Sequence, residues 1–313
     1  MVVAPRRAEL VTTELGALAP GQLRIRVVGC GVCGSNLPVW EGRPWFDYPL
    51  TPGSPGHEGW GRVEQASSGA DGWAEGTPVA FLHDSSFCEV VDVPASAAVM
   101  LPDALGDRPF PGEALGCAMN VAARSGFSPG ATVAVVGTGF LGCVVAGLAA
   151  HAGARVLAIS RRRFSLEMAA TMGAHELVEG TDADAALRRV EELTDGRLCD
   201  VVVEAVGAQQ PLELASRLTR TRGRLVIAGF HQDGPRTVDL QLWNWRGIDV
   251  VNAHERDPAV RRRGIEAALE AVVSGHLDPS PLYTHRVALD RWGDAMEALV
   301  ERPEGFLKAL VLT

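Results

Sequence analysis

The stretch that decides the fold is Thr132-Val-Ala-Val-Val136 followed directly by Gly137-Thr138-Gly139-Phe140-Leu141-Gly142. The apolar run predicts a buried strand, and an Ala/Val/Leu-rich helical pattern follows the glycines before a second strand at 155–159. Glycines at this spacing between a strand and a helix predict a dinucleotide site. Gly137 permits a tight turn, Gly139 a close approach to the pyrophosphate, and Gly142 close packing of the helix on the strand.

The ends of the neighbouring strands supply further candidate cofactor contacts. An NAD site normally carries a carboxylate after the second strand, but this chain has Ser160-Arg161-Arg162 there. A guanidinium can bind a 2′-phosphate with two hydrogen bonds, so the segment favours NADP(H) over NAD(H). The alternative is a solvated basic start to the next helix. The other predicted contacts are Thr138, Phe140, Leu141, Val206 and Gly229.

Farther from the glycine motif, the chain divides into two kinds of pattern. From about residue 125, strand and helix patterns alternate, which predicts an α/β domain with a doubly wound parallel Rossmann sheet. Its strands are predicted at 132–136, 155–159, 200–206, 224–229 and 249–252. Before about residue 110, short β-branched runs lie between Gly/Pro turns, which predicts a β-barrel-like domain. Later patterns indicate helices at 257–275 and 290–301 and a strand at 307–312.

Composition limits the classes of function. The chain of 313 residues is 47% hydrophobic and 21% charged, which excludes disordered and collagen-like proteins. A net charge of -9 argues against nucleic acid or an anionic membrane as the partner. The first ten residues do not resemble a secretory signal, so we expect a cytoplasmic protein. Its six cysteines are then expected to be reduced thiols or metal ligands.

Candidate metal ligands lie in the first part of the chain. Cys30-Gly-Val-Cys33 has the spacing of a redox pair or half a four-cysteine zinc site, but no second such pair follows. Cys33 can instead join the motif Gly56-His57-Glu58-Gly59. A thiolate, an imidazole and a carboxylate with one open position would suit a catalytic zinc ion.

Three motifs together resemble the medium-chain alcohol dehydrogenase/reductase superfamily: residues 31–35, 55–61 and 137–142 occur in its order and approximate spacing. The resemblance implies a GroES-like β-barrel catalytic domain at 1–125, completed by 272–313, and a Rossmann domain at 126–271. It implies that Cys33 and His57 bind zinc, that Glu58 lies beside the ion or exchanges as a ligand, and that Ser35 passes the alcohol proton.

The same resemblance leaves the third zinc ligand open between two residues. Glu113 lies 24 residues before Gly137, the family-like interval, whereas Cys117 lies 20 before it. Glu113 is favoured, as in polyol-type members, with Cys117 as the alternative.

The chain also departs from the pattern of many members. The four-cysteine structural zinc lobe expected between about Val79 and Glu89 is missing, as in a polyol/threonine dehydrogenase-like branch. Asn36 stands where the family usually has Asp, and Pro38 where classical members have a proton-relay histidine. These changes bear on metal affinity and proton transfer more than on the fold.

The predicted function is a zinc-dependent oxidoreductase that transfers a hydride between NADP(H) and a secondary alcohol or ketone, with a polyol- or sugar-like substrate. One alternative is a zinc-free NADPH-dependent enone or quinone reductase, and another is a non-catalytic nucleotide-binding protein. Candidate substrate contacts are Trp40, Trp45, Phe46 and His254. The aromatic residues could equally form a packing cluster, and His254 a surface hydrogen bond. A homodimer or homotetramer could form through the predicted edge strand 249–252.

Overall fold

The computed structural model describes all residues from Met1 to Thr313. In chain order the strands are β1 Val2–Ala4, β2 Arg7–Ala8, β3 Gln22–Gly31, β4 Glu58–Ala66, β5 Pro78–Phe81, β6 Val90–Pro94, β7 Ala98–Met100, β8 Thr132–Val136, β9 Arg155–Ser160, β10 Glu176–Glu179, β11 Cys199–Glu204, β12 Thr219–Ile227, β13 Asp249–Asn252, β14 His285–Ala288 and β15 Ala309–Leu312. The α-helices are α1 Leu37–Glu41, α2 Gly112–Ser125, α3 Phe140–His151, α4 Arg163–Thr171, α5 Ala183–Leu193, α6 Gln209–Leu218, α7 Leu240–Arg246, α8 Pro258–Val273 and α9 Trp292–Glu301.

The chain forms two compact units. Unit 1 comprises Met1–Gly116, Asp257–Ser274 and Tyr283–Thr313, and unit 2 comprises Cys117–Arg256 and Gly275–Leu282. These limits differ from the predicted boundaries at 125/126 and 271/272. Helix α8 groups with unit 1 rather than with the Rossmann sheet, because Gly112 and Gly116 of α2 lie directly against Ile265 of α8.

Unit 2 contains a six-stranded parallel sheet in the order β10-β9-β8-β11-β12-β13. This is the doubly wound order of a Rossmann fold, and it confirms the predicted fold class. The central strands are buried because their side chains are apolar on both faces, as in Val133, Ala134 and Val135 of β8, each 0% exposed. The order places the topological switch point between β8 and β11.

Unit 1 is built around a seven-stranded, mostly antiparallel sheet in the order β14-β15-β3-β4-β5-β7, with β6 paired to β3. Strand β3 alternates buried and more exposed residues along its first half, which is the pattern of a half-buried antiparallel strand. Its buried side chains Leu23 and Ile25 pack with Phe81 in one core cluster. The segment 309–312 pairs with β3, so the end of the chain belongs to this unit.

The uncharged segment 131–154 forms strand β8 and helix α3 inside unit 2. No helix of the structure combines the length and the apolar character needed to span a membrane.

Candidate active site

Cys33, His57 and Glu58 come together in unit 1 because two strand ends are neighbours. Strand β3 ends at Gly31, and β4 begins at Glu58, and these two residues are paired in the antiparallel register. Cys33 lies just after β3 and His57 just before β4. One ligand atom from each of the three side chains lies within 4.8 Å of the others. The structure therefore brings together the thiol, imidazole and carboxylate that the sequence predicts.

Asn36 links the two loops that carry these side chains. Its Oδ1 accepts the backbone N–H of Cys33 at 3.0 Å, and its Nδ2 donates to the carbonyl oxygen of Pro55 at 3.0 Å. The Nδ1 atom of His57 lies 3.0 Å from the same carbonyl oxygen. Because a carbonyl only accepts, Nδ1 carries a proton, and Nε2 is the ring nitrogen that can bind a ligand once its own proton is displaced. A backbone carbonyl thus orients this histidine, where a carboxylate was expected in the family pattern.

The surroundings of His57 favour a positive charge. Burial works to lower the pKa of its imidazole, but the hydrogen bond and charge of Cys33, with the charges of Glu113 and Glu58, outweigh burial and raise the pKa to about 10. Ser35 Oγ lies 3.4 Å from His57 Nε2, on the side of the ring that faces the cluster. The site is therefore suited to a cation, with a hydroxyl beside it.

Cys30, the first cysteine of the CxxC motif, does not join the cluster. Its side chain points from β3 into the core and is 1% exposed. Burial, followed by the charge of Glu58, raises the pKa of the Cys30 thiol well above its usual value. Only Cys33 of this pair is available as a thiolate ligand.

The Glu58 carboxylate forms a buried ion pair that the sequence did not indicate. Lys308 Nζ lies 2.7 Å from Glu58 Oε1 and 2.5 Å from Oε2, and both residues are buried. Burial works to lower the pKa of Lys308, but the charges of Glu58 and Cys33 raise it above its ordinary value. Gly31 leaves room for the pair, because a Cβ there would overlap the Glu58 carboxylate. A lone lysine in the apolar run 306–312 was the signal for this contact.

The two candidates for the third ligand lie one helical turn apart on α2. Glu113 accepts a hydrogen bond from Arg261 Nη2 at 3.0 Å, and its side chain is only 11% exposed. Cys117 is half-buried. The group of ligand atoms around Cys33 contains neither residue. Arg261 of α8 is thus a partner of Glu113.

The glycine motif in unit 2 has the geometry that its predicted roles require. Gly137 has a φ of +95°, and a Cβ there would overlap the Val206 side chain. A Cβ on Gly142 would overlap the Gly137 carbonyl, whereas Gly139 has open space beside it. The Oγ1 atom of Thr138 is buried without a hydrogen-bond partner. An open glycine and an unsatisfied hydroxyl at the start of α3, where Phe140 and Leu141 form the first turn, fit a phosphate-bearing ligand.

The remaining predicted cofactor residues lie at the carboxyl ends of the unit 2 strands. Ser160 ends β9, and its Oγ accepts the backbone N–H of Arg162 at 3.5 Å. Arg161 is exposed and Arg162 half-buried. Gly229 follows β12, and a Cβ there would overlap Gly207.

The predicted substrate residues are not brought together. Trp40 is 2% exposed, donates from Nε1 to Glu297 at 2.8 Å and packs edge-on against Trp292. It borders a cavity of about 380 Å³ that no residue of the metal cluster lines, and its contacts are those of the alternative, aromatic packing. Trp45 and Phe46 lie 6.2 Å apart with Trp45 54% exposed.

His254, the fourth of these residues, lies in unit 2 after β13. Its ring stacks on that of Phe230, with 5.2 Å between the ring centroids and 10° between the planes. Both rings follow the carboxyl ends of neighbouring strands, β13 and β12.

Comparisons with known proteins agree with both units. Residues 19–106 match the alcohol dehydrogenase GroES-like domain, and residues 141–271 match the zinc-binding dehydrogenase domain. The chain is 26% identical to 2-dehydro-3-deoxy-L-galactonate 5-dehydrogenase of Pseudoalteromonas atlantica, over 94% of this chain and 93% of that protein. It is 24% identical to sorbitol dehydrogenase of Bacillus subtilis, over 98% and 94% of the two chains.

Solved structures share the same architecture. That of 2R,3R-butanediol dehydrogenase from Bacillus subtilis has a TM-score of 0.86 at 22% identity, covering 99% of this chain and 98% of that one. A Sinorhizobium meliloti protein, assigned as a zinc-binding dehydrogenase and bound to NADP, has a TM-score of 0.82 at 25% identity, covering 96% and 94%. The two matched domains span more than half of the sequence in the expected order. The chain therefore belongs to the medium-chain alcohol dehydrogenase/reductase superfamily of oxidoreductases.

Proposed function

We propose that the protein is a zinc-dependent oxidoreductase that transfers a hydride between NADP(H) and a secondary alcohol or its ketone. The observation that carries the proposal is the group formed by Cys33, His57 and Glu58, whose ligand atoms lie within 4.8 Å of one another. In the same chain, the segment 137–142 has the glycine geometry of a dinucleotide site. Unit 1 would carry the catalytic residues and unit 2 the cofactor.

The donor set fits a zinc ion. Cys33 and His57 would hold it through Sγ and Nε2. The Pro55 carbonyl, which Asn36 supports, would keep the proton of the imidazole on Nδ1. Glu113 remains the preferred third ligand, with Cys117 as the alternative. Glu58 would stay beside the ion, because its charge is balanced by Lys308. When bound, zinc supplies a Lewis acid that polarises an alcohol or carbonyl oxygen.

Ser35 would hold and pass the proton of the alcohol. Its hydroxyl lies at the Nε2 side of His57, which is the side that faces the cluster. A hydroxyl both donates and accepts, so it can take the substrate proton while giving up its own to a solvent water molecule. Pro38 offers no side-chain proton acceptor in the same loop.

Preference for NADP(H) rests on the end of β9. Ser160, Arg161 and Arg162 provide a hydroxyl and two guanidinium groups and no carboxylate that would repel a 2′-phosphate. The NADP bound to the Sinorhizobium meliloti protein supports this choice. A polyol- or sugar-like substrate is supported by the names of the curated relatives, sorbitol dehydrogenase and a galactonate-derivative dehydrogenase.

The decisive experiment combines metal analysis with turnover. Protein purified without chelator should contain about one zinc per chain and oxidise polyols or secondary alcohols with NADP⁺ faster than with NAD⁺. Cys33→Ala should remove both zinc and turnover, while Cys30→Ala should keep both, because Cys30 lies outside the cluster. Full activity of the Cys33 variant without metal would refute the zinc role.

A zinc-free NADPH-dependent enone or quinone reductase is the second candidate. It is favoured by one observation: both nearby carboxylates, Glu58 and Glu113, are already paired with Lys308 and Arg261. This candidate requires metal-free protein that reduces enones or quinones and is inactive on alcohols. The metal content of the active enzyme therefore separates the two functions.

A homodimer formed through the edge of unit 2 is also proposed. Strand β13 pairs with β12 on one side only, and in the preceding helix α7 Leu240 is 67% and Trp245 88% exposed. Light scattering should give twice the mass of the chain or a multiple of it. Trp245→Glu should shift the mass towards that of the monomer.

A further inference from the structure

A closed ring of hydrogen bonds surrounds the turn 205–207 in unit 2. The Oε1 atom of Glu204 accepts the backbone N–H groups of Val206 and Gly207, both at 2.8 Å. Its Oε2 lies 3.0 Å from His231 Nε2. Arg236 closes the ring, because Nε donates to His231 Nδ1 at 2.9 Å and Nη2 donates to the Gly207 carbonyl oxygen at 2.9 Å.

The direction of every bond in the ring is fixed. Arginine stays protonated and only donates, so His231 Nδ1 accepts and the ring proton is on Nε2. Nε2 then donates to Glu204, which is 0% exposed and accepts from three N–H groups. A buried carboxylate with this many donors holds its surroundings in one arrangement.

The turn held by the ring touches the glycine motif. The side chain of Val206 fills the space that a Cβ on Gly137 would need, and 42% of Val206 is exposed. On the other side, a Cβ on Gly229 would overlap the backbone of Gly207 and approach the Glu204 carboxylate. The turn is therefore a wall of the site that begins at Gly137.

The sheet order says which half of a dinucleotide this wall faces. A bound dinucleotide crosses the switch point between β8 and β11 at the carboxyl ends of the strands. The proposed 2′-phosphate contacts follow β9, on one side of β8. The turn 205–207 follows β11, on the other side, and so faces the nicotinamide half.

We propose that Glu204, His231 and Arg236 are positioning residues that fix the turn 205–207 against the nicotinamide half of the cofactor. The inference rests on the proposed function, because it requires that the Gly137 motif binds a nicotinamide dinucleotide. The three side chains act through Val206 rather than on the reacting atoms. A turn that is already rigid lowers the ordering cost of binding, so loosening it weakens cofactor affinity and leaves turnover at saturating cofactor nearly unchanged.

The test compares three variants by NADPH fluorescence titration, steady-state kinetics and amide hydrogen exchange. His231→Leu breaks the ring, whereas His231→Gln keeps one donor and one acceptor. His175→Leu is the control for replacing a histidine elsewhere in unit 2. It removes one hydrogen bond, from Val156 N–H at 3.1 Å near the amino end of β9, whereas His231→Leu removes two. We expect His231→Leu to raise the dissociation constant and the KM for NADPH about tenfold, with faster exchange at 205–207. For His231→Gln and His175→Leu, the dissociation constant and the KM for NADPH should stay within about twofold of the wild-type values.

Equal dissociation constants for the wild type and His231→Leu would overturn the inference, and so would unchanged exchange at 205–207. If His231→Leu does not fold, Arg236→Gln loosens the same turn from its other side and is held to the same outcomes. Failure of the proposed function looks different, because the wild type itself would then bind neither NADPH nor NADH. The exchange measurement on the free protein needs no cofactor and still decides whether the ring holds the turn.

Discussion

Two fully buried carboxylates, one in each unit, are stabilised in opposite ways. Glu58 in unit 1 has the ammonium group of Lys308 within 2.7 Å of both its oxygens. Glu204 in unit 2 accepts from two backbone N–H groups and an imidazole. A buried charge requires either an opposite charge or several well-aligned donors.

The difference predicts how each site responds to substitution. Glu58 depends on a single distant side chain, so loss of that side chain leaves the whole charge uncompensated. Glu204 depends on donors from its own turn and from β12's carboxyl end, so loss of one donor leaves two. We therefore expect the loss of one partner to destabilise the protein more at Glu58 in unit 1 than at Glu204 in unit 2.

The largest effect is expected for Lys308→Met. This change leaves the buried Glu58 carboxylate without its cation, which lowers the free energy of unfolding by about 3–5 kcal/mol. Urea denaturation at neutral pH measures it. Lys308→Arg keeps the cation, so its free energy of unfolding should fall much less. The double variant Glu58→Gln/Lys308→Met should recover stability relative to Lys308→Met. A loss below about 1 kcal/mol would mean that the pair behaves like an exposed one.

Glu204→Gln should cost less, about 2 kcal/mol. The amide oxygen can still accept from Val206 and Gly207, but the amide nitrogen would face the donating Nε2 of His231. The same denaturation measurement applies. A loss as large as that of Lys308→Met would contradict the contrast between the two carboxylates.

Asn36→Ala should have a smaller effect on stability, about 1–2 kcal/mol, because it removes two neutral hydrogen bonds. Its larger effect is expected on metal binding. A positioning residue of this kind is worth roughly 10–100-fold in zinc affinity, which competition with a chromophoric chelator measures. Asn36→Asp retains the acceptor for Cys33 N–H, so its zinc affinity should lie between those of the wild type and Asn36→Ala. Unchanged affinity in Asn36→Ala would show that Pro55 needs no support.

The smallest effect is expected for a half-exposed carboxylate, Asp200. Burial works to raise its pKa, but the N–H of Thr132 and the guanidinium of Arg220 lower it below the ordinary value. A depressed pKa contributes stability above the unfolded-state value of about 3.9, which disappears as the pH falls through the folded-state value. Asp200→Asn should thus cost under about 1 kcal/mol at pH 7, and the difference should vanish in acid. A constant difference down to pH 2 would contradict this assignment.

Local patterns explain what could be predicted from the sequence. The strands at 132–136 and 249–252 were predicted with the bounds that they have. The first is a buried, continuous apolar run, whereas the second is an edge strand with only Val250 and Val251 half-buried. Strand β10 was missed because its sequence, Glu176-Leu-Val-Glu179, has only Val178 buried. Helix α8 was recognised as a helix but assigned to the wrong neighbour, since periodicity does not say which core a helix packs against.

The contacts of the candidate site also divide into those that local sequence patterns predict and those that they do not. Cys33 and His57 are close in sequence and joined by one strand pair, so their grouping followed from the motifs. Lys308 contacts Glu58 across 250 positions, and Arg261 contacts Glu113 across 148. The lone lysine in an apolar run marks Lys308 itself as unusual, but no local pattern identifies the partner in either pair. Trp40 lies in a core cluster, and aromatic composition alone does not distinguish a pocket wall from a core.

The Glu58–Lys308 pair also has a consequence for biosynthesis. Glu58 is translated 250 codons before the lysine that balances it. At about 5–20 residues per second, that interval is roughly 10–50 s. During this time Glu58 has no lysine partner, so unit 1 cannot bury this carboxylate as its ion pair until the end of the chain has been made.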